Sequence, residues 1–186
     1  KIGGTGTLSL GGNLAVTGTL NLNDGASTTL AGNKIDVSGG TLELAGTHSL
    51  NSITTNDQTK LQINNSANIS RTDSGTSTIG SLTYSSQTGG SGSLSLSVSN
   101  MGFTVASATQ VSGASLNQSN GILTFQAAPS LTNSSSLSVS NGELVLQNGG
   151  TVNGSSLQLS ASVFKPTGTI SVTNGGTFAL NGTSSV

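Results

Sequence analysis

The feature that most constrains this fold is a short apolar-x-apolar motif that recurs about every 20 to 21 residues, a repeat length typical of solenoid architectures. Two further series of such motifs, one starting at Leu14 and a thinner one starting at Leu10, advance by about the same step. The main series advances by close to one repeat at each step, through Leu20, Leu42, Leu61, Leu82, Phe103, Leu123 and Leu144.

The period predicts three short strands in fixed order in each repeat. Helix is disfavoured because Gly, Ser, Thr and Asn make up more than half of the chain, and all four are poor helix formers. We therefore expect an all-β fold, a single-stranded parallel β-solenoid of roughly nine coils, each of about 20–21 residues. A coil cannot bury enough apolar surface alone and is stabilised by its neighbours. Parallel crossovers are usually right-handed, so we favour a right-handed helix.

An Asn-Gly dipeptide between two apolar motifs allows a different interpretation. Asn141-Gly142 lies between alternating runs, which is a strong signal for an antiparallel hairpin. However, Asn100, Asn120 and Asn141 recur at the repeat length of the apolar motifs. Asn tolerates the left-handed backbone conformation, so we interpret these residues as a ladder of equivalent corners. This interpretation predicts that Leu144 pairs with Leu123 rather than with a neighbour in a hairpin.

The repeated phrases also resemble a known family. GGTLELAG at residues 39–46 and GGTFALNG at 175–182 are similar to autotransporter-associated β-strand repeats. The whole chain resembles the passenger stalks of bacterial autotransporters and filamentous-haemagglutinin-type adhesins. The resemblance implies a right-handed parallel β-helix outside the bacterial cell, acting in adhesion or as a rigid stalk. The departures from the pattern are residues 64–93, expected to be an irregular coil or loop, and Lys165-Pro166, where the coil is expected to be broken or turned outward.

Candidate catalytic and binding residues are sparse. Asp36 and Asp57 lie one repeat length apart, so stacking could bring them to the separation of a glycosidase acid pair, although isolated surface acids are the simpler interpretation. Arg71 and Asp73 lie within the irregular stretch and are either a local ion pair or part of a protruding binding loop. His48 is the only histidine and there is no cysteine, so we expect no metal site and no cofactor.

Charge and hydropathy narrow the possible partners. The formal net charge is −1 and the five basic residues are scattered, which argues against nucleic-acid binding. No apolar run is long enough to span a membrane. Outward Thr83, Thr104 and Thr124 are expected to share a single file, which is too narrow for an ice-binding surface. The expected partners are neighbouring coils or identical subunits, with surface glycans or host ligands as alternatives.

The expected function is therefore structural or adhesive rather than enzymatic. We expect residues 1–186 to form one β-solenoid segment of a longer rod, in an extracellular or surface-exposed bacterial protein. A first alternative is the subunit of a surface filament built by stacking of solenoids. A second is a β-helix that binds or degrades polysaccharides.

Overall fold

The computed structural model describes residues 7–9, 14–22, 27–29, 35–37, 39–50, 53–84, 94–107 and 109–186. Within these ranges the chain forms 23 strands and no helix. The strands up to residue 84 are β1 (Thr7–Ser9), β2 (Leu14–Ala15), β3 (Thr19–Leu22), β4 (Ser27–Thr29), β5 (Ile35–Asp36), β6 (Thr41–Ser49), β7 (Ile53–Thr54), β8 (Lys60–Ser70), β9 (Thr76–Ile79) and β10 (Ser81–Tyr84). The later strands are β11 (Leu94–Ser99), β12 (Gly102–Val105), β13 (Gln110–Ser112), β14 (Ala114–Ser119), β15 (Ile122–Phe125), β16 (Ser130–Thr132), β17 (Ser136–Ser140), β18 (Glu143–Leu146), β19 (Gly150–Asn153), β20 (Ser156–Ser160), β21 (Val163–Pro166), β22 (Ile170–Thr173) and β23 (Thr177–Asn181).

From residue 94 onward the strands build three parallel sheets, which we call faces. Face A contains β11, β14, β17, β20 and β23; face B contains β12, β15, β18 and β21; face C contains β13, β16, β19 and β22. Each strand pairs with its equivalent about one repeat away, as Leu116 pairs with Leu137. This is the expected parallel β-solenoid. The path of the largest sheet holds eight strands, which corresponds to about seven turns rather than the roughly nine expected from counting every repeat as a coil.

The earlier coils differ because two strands continue around a corner. The first parts of β6 and β8 pair with each other and with β3 and β10. The second part of β8 lies between the second part of β6 and β11, so the ladder that continues into face A already includes β6. A bulge between Leu44 and Gly46 accommodates the change of direction in β6. Within the stretch expected to be irregular, residues 64–84 are mostly strand, but the coil step there is longer than one repeat, since Leu96 pairs with Ala67. Residues 85–93 lie outside the described part of the chain.

The predicted main series is divided between two ladders. Leu82 pairs with Leu61, but Phe103 pairs with Ser77 on β9, so Leu82 and Phe103 are not stacked. The reason is one long coil step. Leu96 pairs with Ala67 in the preceding coil and with Leu116 in the following coil, and its sequence separation from Ala67 is much the larger of the two. This coil is longer than the others by about one strand and one corner. A residue one repeat after Leu82 therefore lies on a different face from Leu82.

The Asn-Gly segment is a corner and the hairpin interpretation is excluded. Leu144 pairs with Leu123 on one side and Phe164 on the other. Val139, before the corner, pairs with Gln118 and Leu159 in face A. The two apolar motifs therefore belong to two different parallel sheets.

Pro166 neither breaks the coil nor turns it outward, contrary to expectation. It is the last residue of β21, opposite Leu146. Ladder bonds alternate in direction along a strand: Val163 and Thr167 donate toward β18, whereas Phe164 donates to the carbonyl of Ser185 at 2.7 Å. The nitrogen of Pro166 falls on the side away from β18, so the missing N–H costs that ladder no hydrogen bond.

The inward side chains form one continuous core along the axis. It extends from Leu20 to Phe164 and contains mainly Leu, Ile, Val and Phe. Alternation within a strand is clear in β18, where Leu144 and Leu146 are buried and Glu143 and Val145 are partly exposed. This alternation decides which residues reach the outer surface, where any binding must occur.

Candidate functional site

The corner between β8 and β9 holds the Arg71–Asp73 pair. The guanidinium Nε donates to Asp73 Oδ1 at 2.8 Å and Nη2 donates to Oδ2 at 2.6 Å. Nη1 donates to the carbonyl of Leu50 at 3.0 Å, one coil away, and to Ser77 Oγ at 3.3 Å. The amide of Gly75 donates to Asp73 Oδ1 at 3.0 Å. Each of the three guanidinium nitrogens therefore contributes to holding this corner together.

The electrostatics of this corner agree with a structural role. Hydrogen bonds from Arg71, and then from the Gly75 amide, lower the pKa of the Asp73 carboxyl to about 2. The bond to Asp73 raises the pKa of Arg71. The Arg71 side chain is only 14 % exposed, so it presents little of its charge to solvent. The pair fits the local ion-pair interpretation better than that of a protruding binding loop.

The corner between faces A and B is built on left-handed asparagines. Asn100, Asn120 and Asn141 have φ values of 56°, 51° and 50°. The N–H of each donates across to the next coil, as Asn141 does to the carbonyl of Ser160 at 3.0 Å. Ala161 occupies the equivalent position one coil later with a φ of 48°. The backbone thus repeats the same corner in successive coils.

A second asparagine series lies at the corner that leads from face C to face A. Asn174 Nδ2 donates to Asn153 Oδ1 at 2.8 Å, which is a bond between side chains of adjacent coils. Asn133 Nδ2 donates to Ser112 Oγ at 2.7 Å in the same direction. Sequence reasoning missed this series, although Asn133, Asn153 and Asn174 recur at the repeat length and could have been found in the same way.

The same corner is lined by hydroxyls. Ser135 Oγ is buried and lies 2.9 Å from the carbonyl of Val111 and 3.3 Å from Ser155 Oγ. A shallow groove of about 280 Å³ runs past these residues and is lined only by Ser, Gly and Thr, between Ser134 and Thr177. The buried hydroxyls serve mainly to satisfy corner carbonyls, because an unsatisfied buried carbonyl is costly.

The acidic candidates do not converge. Asp36 pairs in register with Thr54 on β7, whereas Asp57 lies in the turn that follows β7. The stacked carboxylate pair considered from their spacing is therefore not formed. His48 lies on β6 opposite Ile69. Among the residues that the structure describes, no group of three or more His, Cys, Asp or Glu could hold a metal ion.

The outer threonine file differs from the expected one. Thr104 pairs with Thr124 and, on its other side, with Thr78 on β9. Thr83 instead pairs with Gln62 in a different ladder. The reason is again the change of face between β10 and β12.

The surface after residue 73 is almost free of charge. Between Ser74 and Val186 the sequence contains only two charged residues, Glu143 and Lys165. They lie on adjacent strands of face B, and Lys165 Nζ is 2.8 Å from Glu143 Oε2. In the described residues no helix is long and apolar enough to cross a membrane.

Comparison of the chain with protein-family models, curated proteins and solved structures finds no match.

Proposed function

We propose that this chain is a non-enzymatic structural or adhesive segment of an extracellular bacterial surface protein, serving as a rigid β-helical stalk or adhesin passenger. The observation that carries the proposal is the continuity of the core and of the parallel ladders from coil to coil. Each coil is fixed by hydrogen bonds and apolar contacts to both neighbours, so bending the rod would break many contacts together. At about 4.8 Å per coil, seven turns extend roughly 35 Å.

The surface also supports a structural role. Arg71, the only arginine, is used to hold a corner, and the two charged residues of the later coils pair with each other. Autotransporter-like repeats such as GGTLELAG at residues 39–46 add the extracellular location to the proposal.

Surface labelling of intact bacteria tests the proposal. Antibodies raised against the purified chain should label intact cells that express the parent gene. Brief protease treatment of intact cells should remove the label. Labelling that requires permeabilised cells would contradict the extracellular role. Turnover of polysaccharides by the purified chain would contradict the non-enzymatic role.

A filament subunit is the second candidate, because the uncovered apolar side chains of the last described strands can be covered by a second copy as well as by further coils of the same protein. The last strands expose large apolar side chains, with Val172 at 42 %, Phe178 at 38 % and Leu180 at 40 %. Phe178 packs against Phe164, with ring centroids 5.1 Å apart. Negative-stain electron microscopy of the purified chain tests this candidate: uniform fibres would support it, and a persistent monomer would exclude it.

A further inference from the structure

Two of the three ladders are interrupted at one coil in the middle of the described rod. In each coil the chain passes through faces B, C and A in that order. In the position of face B, β7 ends the sheet of β2 and β5, and β9 begins the sheet that continues through β12. In the position of face C, β10 pairs only with β8, and β13 begins the next ladder. Face A alone is continuous past this coil, through β8 and β11.

The two interruptions meet at Gly80, between β9 and β10. The N–H of Gly80 donates to the carbonyl of Thr59 in the preceding coil at 2.8 Å. The carbonyl of Gly80 accepts from the N–H of Ser107 in the following coil at 2.7 Å. This coil is therefore joined to the preceding coil through β10 and to the following coil through β9. We call the line that runs between β7 and β9, past Gly80, and between β10 and β13 the seam.

The backbone at the seam lacks hydrogen bonds that close the same face elsewhere. On face C, the N–H of Ser130 donates to the carbonyl of Thr109 at 2.8 Å, and the N–H of Thr151 donates to that of Pro129 at 2.9 Å. Gln110 has the same position in the register, since it pairs with Ser130. Within the described residues, its N–H makes no such bond to the coil of β10. The edge of β13 that faces β10 is therefore unpaired.

Side chains rather than ladders hold the seam closed. Leu82 on β10 and Val111 on β13 are buried and belong to the continuous core. On the other side of the rod, Arg71 Nη1 donates to the carbonyl of Leu50, before the seam, at 3.0 Å. The same nitrogen donates to Ser77 Oγ on β9, beyond the seam, at 3.3 Å. Arg71 therefore connects the two edges where β7 and β9 are not paired.

The column of inward residues that begins at Ser77 agrees with this role of Arg71. Ser77 pairs with Phe103, which is followed in register by Leu123 and Leu144. All four are buried, and Ser77 is the small polar member among large apolar ones. Its hydroxyl can accept a hydrogen bond from the guanidinium, which an apolar side chain cannot do.

We propose that the seam is a hinge built into the rod, where the coils part on faces B and C while face A stays paired and Arg71 acts as the clasp. Elsewhere in the later coils, separation of two coils must break ladders on all three faces. Local opening occurs where the fewest cooperative contacts resist it. This inference goes beyond the proposed function, because it adds one bending point to a rod that is otherwise rigid.

Thiol labelling can detect opening of the seam, because the chain contains no cysteine. Val111→Cys places a small, weakly polar thiol beside the seam. Val105→Cys is the matched control, because Val105 is equally buried on the same coil but its strand β12 is paired with β9. Val152→Cys is a second control, in the same column of face C as Val111 but two coils away.

The hinge predicts a clear order of labelling rates in native buffer. The Val111→Cys thiol should react with a soluble disulfide reagent at least about tenfold faster than either control thiol. Adding Arg71→Met should raise the rate for Val111→Cys at least about threefold and leave the rate for Val152→Cys unchanged. Adding Glu143→Gln, which removes the ion pair with Lys165 away from the seam, should change neither rate. Circular dichroism and urea midpoints verify that each variant is folded.

A second pair of variants tests the opposite edge of the seam. Leu82→Cys lies beside the seam, whereas Leu61→Cys lies one coil before it in the same ladder, and both leucines are buried. The thiol at residue 82 should again react faster. This comparison replaces the first if Val111→Cys does not fold.

The outcomes separate the hinge from the proposed function. Equal labelling of the thiols beside the seam and the control thiols would overturn the hinge. Equal acceleration of Val111→Cys and Val152→Cys by Arg71→Met would overturn the clasp, since it would reflect general destabilisation. Both results would leave the proposed surface role intact, because labelling of the purified chain does not depend on where the protein is displayed. Loss of antibody labelling of intact cells would refute that role and leave the hinge standing.

Discussion

Gly142 offers the sharpest test of how the coils stack. A Cβ built at Gly142 would lie 2.3 Å from the carbonyl oxygen of Gly121 and 3.1 Å from its nitrogen, both one coil away. The same carbonyl accepts the ladder bond from Glu143 N–H at 2.9 Å. The backbone of Gly142 is not in the left-handed region, so close approach rather than φ is what requires glycine.

The expected cost of Gly142→Ala follows from this geometry. Restoring ordinary contact would move the coils apart locally by about 1 Å, which would also stretch the bond to Glu143. Overpacking costs about 1–3 kcal/mol, and a lost hydrogen bond adds about 0.5–1.5 kcal/mol. We therefore expect Gly142→Ala to lower the free energy of unfolding by about 2–4 kcal/mol.

Two other glycines provide matched controls. Gly18 has nothing within 4 Å of a built Cβ and no left-handed φ, so Gly18→Ala should stabilise by about 0.4–1 kcal/mol. Gly175 also has open space but a φ of +73°, so Gly175→Ala should cost about 1–2 kcal/mol. Urea denaturation followed by circular dichroism measures all three midpoints, provided that the m-values agree. Equal midpoints for Gly142→Ala and Gly18→Ala would refute the proposed role of the inter-coil contact.

Three further predictions address the corners and the core. Asn141→Ala should cost about 1–2 kcal/mol because the residue is left-handed, whereas Asn141→Gly should be nearly neutral; urea midpoints that rank the two in the opposite order would contradict this. Because Arg71 lowers the pKa of Asp73 to about 2 from 3.8, the stabilisation by this pair should be complete above about pH 4 and disappear as the pH falls through 2. The difference in urea midpoint between wild type and Asp73→Asn should shrink accordingly between pH 4 and pH 2, and a constant difference would argue against the ion pair. Leu123→Ala should cost about 2–5 kcal/mol because Leu123 is fully buried, and Leu180→Ala, at 40 % exposure, should cost clearly less in the same assay.

The sequence was sufficient to predict the coil but not the assignment of strands to faces. Apolar alternation with a period of one coil places Leu123 beside Leu144, as observed. It also places Leu82 beside Phe103, which is wrong. All three faces carry the same alternation of apolar and small polar residues. The long step from Ala67 to Leu96 is nine residues longer than the step from Leu96 to Leu116, and such an insertion can leave the apparent period intact while moving the chain to another face.

For the candidate sites, too, the repeat predicts backbone conformation but not the contacts of single side chains. The spacing of Asn100, Asn120 and Asn141 revealed a corner, because backbone conformation repeats with the coil. The Arg71–Asp73 ion pair was one of the two interpretations of the sequence. The bond from Arg71 to the carbonyl of Leu50 was not predictable, because Leu50 belongs to the neighbouring coil and the contact depends on the local register.

Small residues serve two purposes in this chain, and the two are physically connected. At the corners, Gly142 is required because the carbonyl of the coil below approaches too closely for a side chain. On face A, outward serines such as Ser138 are small and carry no charge, so the outer surface of the sheet is uncharged and has no long side chains there. Replacing such serines by charged residues would add solubility but would also place like charges about 4.8 Å apart in successive coils, where at an effective dielectric constant near 20 each neighbouring pair would repel by about 3 kcal/mol. Stacking therefore favours neutral residues along any repeated file, so the glycines at the corners and the neutral outer side of face A both follow from the short spacing between coils.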